Sequence, residues 1–512
     1  MNGSESSSED KHQNGDEVAI DIDDNVERPD CCIYKVPKKL RNINNDAYTP
    51  HIVSIGPYHH GKEKWDDGQS KKEWKWDEVE SKKEGKWDDM QKLKKRYQGK
   101  FFKKILEKEQ TKNFVEEDEQ RIRACYKETF EVVKKEEQRI RACYEAKFED
   151  FDSVEFNKMI LDDAVFIIEL FSRNYKVGTR DFFLSKPWLT NAVKLDLQLL
   201  ENQLPYFVLK KLYKLAYGGV SPSFVTLSCK FFGYKEPAGK ANWDDKIKHF
   251  VDLRRHTMLV NGKIDQNFPK SLRGKIEDLP SAVKLNESGV KFKSVENKDA
   301  VKTDESGVKS KAVENKDAVK TDESGKKSES DKENQEEIIL LKIEFGKRER
   351  KDSCIPRLRG DVLKIPRLKI EDGTECLFRN LMALEQCHYP FETHICNYID
   401  LMDALINTRK DVDLLVDHRI ISNCVGDHDS IKEMFNRLCL EITQSTSCYK
   451  QICDGLKKHH DRWWNRTKAT LISVYFENLW RGTGTVAATI LLLLTLLQTI
   501  QRFYPELFMR KK

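Results

Sequence analysis

The residues best placed to do chemistry are His59 and His60, which close the run Ser54-Ile55-Gly56-Pro57-Tyr58, and the acids Asp162, Asp163 and Glu169 within one apolar stretch. A histidine beside a carboxylate could serve a membrane-bound hydrolase of unfamiliar design as base and orienting group. A structural role is the stronger expectation. Asp162 and Glu169 lie seven residues apart on one helical face, where they would bond backbone or arginine partners, and His59 and His60 fall in a turn. Neither G-x-S-x-G nor H-E-x-x-H supplies the rest of an active site. Gly233 to Ala241 resembles a phosphate loop, but its glycine spacing is one too long and no Ser or Thr follows Lys240. Cys376, Cys387, His388, His394 and Cys396 are zinc-type donors at irregular spacings. The expectation is therefore no catalytic residue, no cofactor and no metal.

Those residues depend on a chain of mixed character. Of 512 residues, 34% are charged and 38% apolar, so much of the length must be solvated helix surface or disorder. The 90 basic and 85 acidic residues nearly balance, which argues against a nucleic-acid partner. The 13 cysteines include no C-x-x-C pair, and reduced cytosolic thiols are expected. The N-terminus has no basic and apolar leader, so the acceptor sequons at Asn2, Asn286 and Asn465 are expected to stay unused.

Residues 482–501 form the longest uncharged run, from Gly482 through Ile490, Leu494 and Leu497 to Gln501. Twenty residues at about 1.5 Å each match the roughly 30 Å hydrocarbon core of a bilayer. Arg481 and Arg502 bracket the run, with Trp463, Trp464, Trp480 and Tyr504 at the interfaces. The expectation is one C-terminal transmembrane helix with the bulk of the chain in the cytosol. The small-residue spacing of Gly484 and Ala488 adds a homo-oligomer as a partner reading.

The other segments follow from composition. Residues 1–30 are Ser, Asp and Glu rich and should be disordered, 31–455 form the main helical domain, 456–481 a basic and aromatic juxtamembrane stretch, and 502–512 a basic tail. Residues 62–150 carry 25 Lys/Arg and 23 Asp/Glu, predicting long solvated helices of coiled-coil character. Two duplications lie there. Lys-Trp-Asp recurs every eleven residues at Trp65, Trp76 and Trp87, and Glu119–Tyr126 recurs eighteen later as Glu137–Tyr144. Both spacings are near whole helical turns, so the copies should lengthen a helix without rotating its apolar face. A third repeat begins at Val283, Val301 and Val319, and residues 294–337, lacking Leu, Ile, Met, Cys and aromatics, read as a disordered linker. Apolar periodicity predicts buried helices over Val154–Phe171 and Leu195–Leu212, then around Leu377–His388, Ile395–Ile406 and Ile431–Ile442, the last capped by Ser430 with Glu433. Ile338–Phe345 and Val362–Ile370 predict a small β-hairpin.

Several of these pieces together resemble a known family. Cys31-Cys32-Ile33-Tyr34-Lys35-Val36-Pro37, Tyr48-Thr49-Pro50, Ser54 to Gly61, Leu200-Glu201-Asn202-Gln203-Leu204-Pro205, Leu279-Pro280-Ser281-Ala282, Leu377-Phe378-Arg379-Asn380-Leu381, Glu385-Gln386-Cys387-His388 and Asp411-Val412-Asp413-Leu414-Leu415 resemble, in order, the plant family called domain of unknown function 247. Asp163 and Ala164 depart from it, standing where Gly and Cys are common. The resemblance implies a mainly α, multi-helix domain with a C-terminal membrane anchor and no established enzymatic activity. Some grass members are implicated in pollen self-incompatibility, so it also implies recognition or signalling through an unknown protein partner.

Overall fold

The computed structural model describes residues 29–60, 83–108, 118–176, 181–218, 222–236, 243–259, 274–295, 341–347, 361–443, 446–462, 465, 467 and 479–503. The expected disordered N-terminus, the first two Lys-Trp-Asp copies and nearly all of the 294–337 linker lie outside these residues. What is described is mainly helical, with two small sheets.

The first half is built on α5 (Ser153–Tyr175), whose start is fixed by Asp152, the side chain of which accepts from Glu155 N at 2.7 Å. Its apolar residues occupy more than one face, and Phe156, Ile160, Val165, Phe166 and Leu170 are all fully buried. Such a helix needs neighbours on several sides. They are α2 (Lys83–Lys108), α3 (Asp118–Lys135), α7 (Tyr206–Tyr217) and α8 (Phe224–Phe232). Phe171 stacks on Phe231 with ring centres 4.4 Å apart, in a group that includes Phe224, Phe232 and Phe250.

The charged region is thus less solvated than its composition implied. On α2, Tyr97, Phe101, Phe102 and Ile105 are buried against the core. The eighteen-residue duplication also does not prolong one helix. The backbone turns at Glu136 (φ −97°, ψ 1°), α3 ends at Lys135, and the second copy forms the short α4 (Glu137–Ala142) and the residues after it. Cys143 and Tyr144, buried there, pair with the N-terminal segment through the bridge between Ile33 and Tyr144.

A second apolar cluster is formed by α9 (Phe250–Met258), α10 (Ala282–Glu287), α11 (Thr374–His388), α12 (His394–Leu405), α13 (Arg409–Asp417), α14 (His428–Leu438) and α15 (Lys450–His460) with the sheets. The predicted hairpin is present as β2 (Glu344–Lys347) antiparallel to β3 (Asp361–Pro366), but it is part of something larger. β3 is central and also pairs in parallel with β1 (Lys291–Val295), a strand that the sequence assigned partly to the linker. Beyond Pro366, β4 (Leu368–Ile370) leaves this sheet to pair in parallel with β5 (Ile421–Asn423). The cap expected at Ser430 is Asp427, which accepts from Asp429 N and Ser430 N, so α14 starts earlier than its apolar stripe suggested. The observed capping box is Thr408 with Asp411, at the start of α13.

The last helix runs from Leu479 to Phe503. Among the described residues no helix is long and apolar enough to cross a membrane. The expected span from Gly482 to Gln501 is therefore not shown by the structure.

Candidate functional site

The segment from Cys31 to His60 threads between the two apolar clusters with little secondary structure of its own, namely α1 (Lys38–Ile43) and two single 3-10 turns. Its buried N–H groups must find partners elsewhere, because an unpaired buried amide costs about as much as a lost hydrogen bond. Acids and amides from distant positions supply them. Asp196 accepts from His51 N (3.0 Å), Ile52 N (2.7 Å) and Val53 N (2.8 Å), Asn202 from Ile55 N (2.6 Å), and Asp163 from Gly56 N (2.8 Å).

The run Glu201-Asn202-Gln203 is the centre of this network. The Asn202 side-chain nitrogen donates to Val53 O and Asp196 O, each at 2.9 Å. That of Gln203 donates to Leu197 O and Leu199 O, while its oxygen accepts from Phe250 N at 2.9 Å. Glu201 accepts from Val36 N (2.7 Å) and Arg41 (2.6 Å) and lies 3.4 Å from His59 Nε2. Asn380 on α11 ties in the second cluster by accepting from Leu200 N and donating to Ala47 O.

Gly56 must be glycine here. Its φ of +70° and ψ of −174° belong to a region essentially closed to side chains, and a Cβ would sit 2.7 Å from Gln203 O. Gly56→Ala should cost on the order of 1–3 kcal/mol in backbone strain alone. Urea unfolding checks this, and a midpoint equal to wild type would refute it.

Burial acts to raise the Glu201 carboxyl, but His59, Arg41 and Val36 N outweigh it and hold the group at about 2. Because this folded value is below the unfolded one of about 4.3, Glu201 contributes stability above the unfolded value and loses it as pH falls towards the folded one. The contribution is about 3 kcal/mol. An acid titration of Glu201→Gln should show a shallower loss of stability than wild type between about pH 4.5 and pH 2, and parallel curves would contradict the assignment.

A second polar cluster lies where α9 meets α11. Arg255 Nε donates to Glu385 at 2.9 Å, both side chains are fully buried, and the guanidinium lies 3.9 Å from the Tyr389 ring centre. The other Glu385 oxygen accepts from Ile395 N (2.8 Å) and Cys396 N (3.0 Å), at the start of α12. Asp252 accepts from Tyr389 Oη at 2.8 Å, and with His256 and His249 beside it stays far below the usual carboxylate range although burial opposes this. Burial lowers His249 to about 4, so its ring is neutral near pH 7. With Nδ1 accepting from Asp252 N, the proton sits on Nε2 and is donated to Cys32 O at 2.9 Å.

The hydrolase candidates bond different partners. His59 faces Glu201, whereas Asp163 pairs with Lys94 at 2.5 Å and accepts from Gly56 N. Glu169 is buried, 2.5 Å from Lys104 and 3.5 Å from Arg173. Asp162 bonds Gln98, and burial followed by the neighbouring Asp163 raises it to about 6. Burial lowers His60 despite the nearby Asp163 charge. The expected arginine partner thus holds for Glu169, and lysines share that role. Lys94 itself is buried and also bonds Ser54 O, a position indistinguishable in sequence from its charged neighbours.

The zinc-type donors do not converge. Cys376 donates to Ala47 O, His388 faces Tyr34 Oη at 2.9 Å, and Cys396 lies near Met382 O. Among the described residues no group of three His, Cys, Asp or Glu could hold a metal ion. Gly233 ends α8 in the left-handed conformation, whereas a phosphate loop needs its glycines ahead of a helix start. The Asn465 side-chain nitrogen donates to His459 O at 2.7 Å.

Residues 33–494 match the family model for a plant protein of unknown function, domain of unknown function 247, and the chain belongs to that family. It is 26% identical to the UPF0481 protein At3g47200 of Arabidopsis thaliana, over 92% of this chain and 85% of that one. It is 22% identical to the putative UPF0481 protein At3g02645 of the same plant, over 91% and 89% of the two chains. No solved structure matches.

Proposed function

We propose that the chain is a membrane-tethered recognition protein, with a helical cytosolic domain that binds another protein and one C-terminal helix that holds it to the bilayer. The observation that carries this reading is the exposure of the Leu479–Phe503 helix. Leu491 and Leu492 are each 66% exposed, and Leu493, Leu494, Leu496 and Leu497 are exposed as well. Successive residues of a helix point about 100° apart, so these side chains face every direction and no single packed partner helix would cover them. Burying a leucine is worth about 1.5–3 kcal/mol, which makes lipid the fitting environment. The anchor residues of this proposal are Gly482, Ile490, Leu494, Leu497 and Gln501.

Recognition rather than hydrolysis is supported by how the candidate acids are used. Asp163 is spent on Gly56 N and Lys94, Glu169 on Lys104 and Arg173, and Asp162 on Gln98, all partners that hold the fold.

The test expresses the full chain with an N-terminal fluorescent tag in plant cells, beside Leu491→Arg/Leu494→Arg. Each arginine at mid-bilayer costs about 2.5–3.5 kcal/mol. Wild type should stay in the membrane pellet after alkaline carbonate, with its tag open to protease in intact microsomes, and the variant should be released. Equal pelleting of the two would sink the anchor, and a protected tag would sink the cytosolic placement.

A further inference from the structure

In the loop after α5 and the first turn of α6 (Pro187–Asp196) the chain exposes two large rings, Phe182 at 53% and Trp188 at 65%, while the adjoining Phe183 and Leu189 are buried. Apart from Asp181, the described charged residues from 176 to 194 are basic. Lys176 and Lys186 are exposed and Lys194 is half-buried. The one acid between residues 181 and 194, Asp181, is buried and held by Arg173 at 2.8 Å and Tyr97 Oη at 2.6 Å. Lys186 Nζ sits 4.4 Å from the Phe182 ring centre, so base and ring form one surface.

Tyr97 links this loop to α2, where residues 92–106 contain no acid. Arg96 and Lys100, one turn apart on α2, are both exposed. The basic surface therefore continues from the loop onto the helix that seats it.

We infer that this aromatic and basic surface lies against the headgroups of an anionic bilayer, with Phe182 and Trp188 entering the interface and Lys186, Arg96 and Lys100 facing lipid phosphates. The inference deepens the tether reading and rests on it for proximity to a membrane. Trp and Phe interleaved with Lys are what an interface between hydrocarbon and water accommodates, since the rings favour headgroup depth and the ammonium groups favour anionic lipid. An acidic protein or a nucleic acid would satisfy the charges and leave the rings without that environment.

The test is hydrogen exchange on the full chain reconstituted into phosphatidylcholine vesicles with and without phosphatidylserine. Wild type is compared with Phe182→Ser/Trp188→Ser and with Arg96→Glu/Lys100→Glu, and dextran sulfate without lipid serves as a polyanion control. In wild type, segments 181–194 and 92–106 should exchange more slowly when phosphatidylserine is present. Loss of each basic residue should weaken that protection by roughly fivefold, and loss of the rings should remove it in the loop. Residues 479–503 should be protected on both vesicle types and in every variant. Protection of 479–503 without any lipid-dependent change in the loop would overturn this inference and leave the anchor standing. Loop protection on anionic vesicles with an unprotected terminal helix would do the reverse. Equal protection by dextran sulfate would overturn the lipid assignment in favour of a general polyanion surface.

Discussion

Glu385→Ala should destabilise the domain by about 3–5 kcal/mol, the cost of leaving a buried arginine without its partner. Burial acts most strongly on Glu385 and raises its carboxyl, with Arg255 and the Ile395 and Cys396 amides pulling it back. This balance means that the intact pair has a small net worth, because desolvation consumes most of the attraction. Truncation is severe for a different reason. It strands the Arg255 charge and also orphans two amides at the start of α12. Arg255→Met/Glu385→Gln should recover much of the loss, since the charge is gone and the Gln oxygen can still accept from those amides. Urea unfolding distinguishes the cases. A loss below about 1 kcal/mol for Glu385→Ala would mean that Arg255 finds water or another acceptor.

Both partners were visible in the sequence, but the pairing was not. Glu385 stood in a motif, whereas Arg255 lies 130 positions away with no local pattern to connect them. Helices such as α5, α11 and α12 were legible because apolar periodicity reports burial locally. The burial of Lys94 on α2 was not, because a lysine that will meet Asp163 across 69 positions looks like every other lysine of a charged helix. β1 was missed for a similar reason. Lys291–Val295 has only Phe292 buried and takes its register from β3, about seventy residues on, across the repeat-bearing linker. The duplicated Cys-Tyr pairs make the point most directly. Tyr126 is half-buried beside Phe102, whereas Tyr144, with the same local sequence, is fully buried and donates to Gln203 O. The polar core had one local sign, the run Asn202-Gln203 flanked by leucines, since polar groups that sit within an apolar run must find partners.

Asp196→Ala should free the His51–Val53 stretch from the core, with a loss on the order of 2–6 kcal/mol, since each of two orphaned donors costs about 1–3 kcal/mol. Val53 is fully buried, so its amide has no route to water, whereas His51 is exposed and can recover a solvent partner. Asp196→Asn should accordingly be milder, because an Asn oxygen placed where Oδ2 now sits would keep the Ile52 and Val53 bonds and give up only the one to His51. Hydrogen exchange locates the effect as well as sizing it. In the Ala variant the amides of residues 51–53 should exchange rapidly while those of Ile55 and Gly56, held by Asn202 and Asp163, and those of α11 and α12, held by Asn380 and Glu385, remain protected. Uniformly faster exchange across both clusters would show that the segment is a keystone of the whole fold rather than a strap fastened separately by Asp196, Asn202 and Asp163.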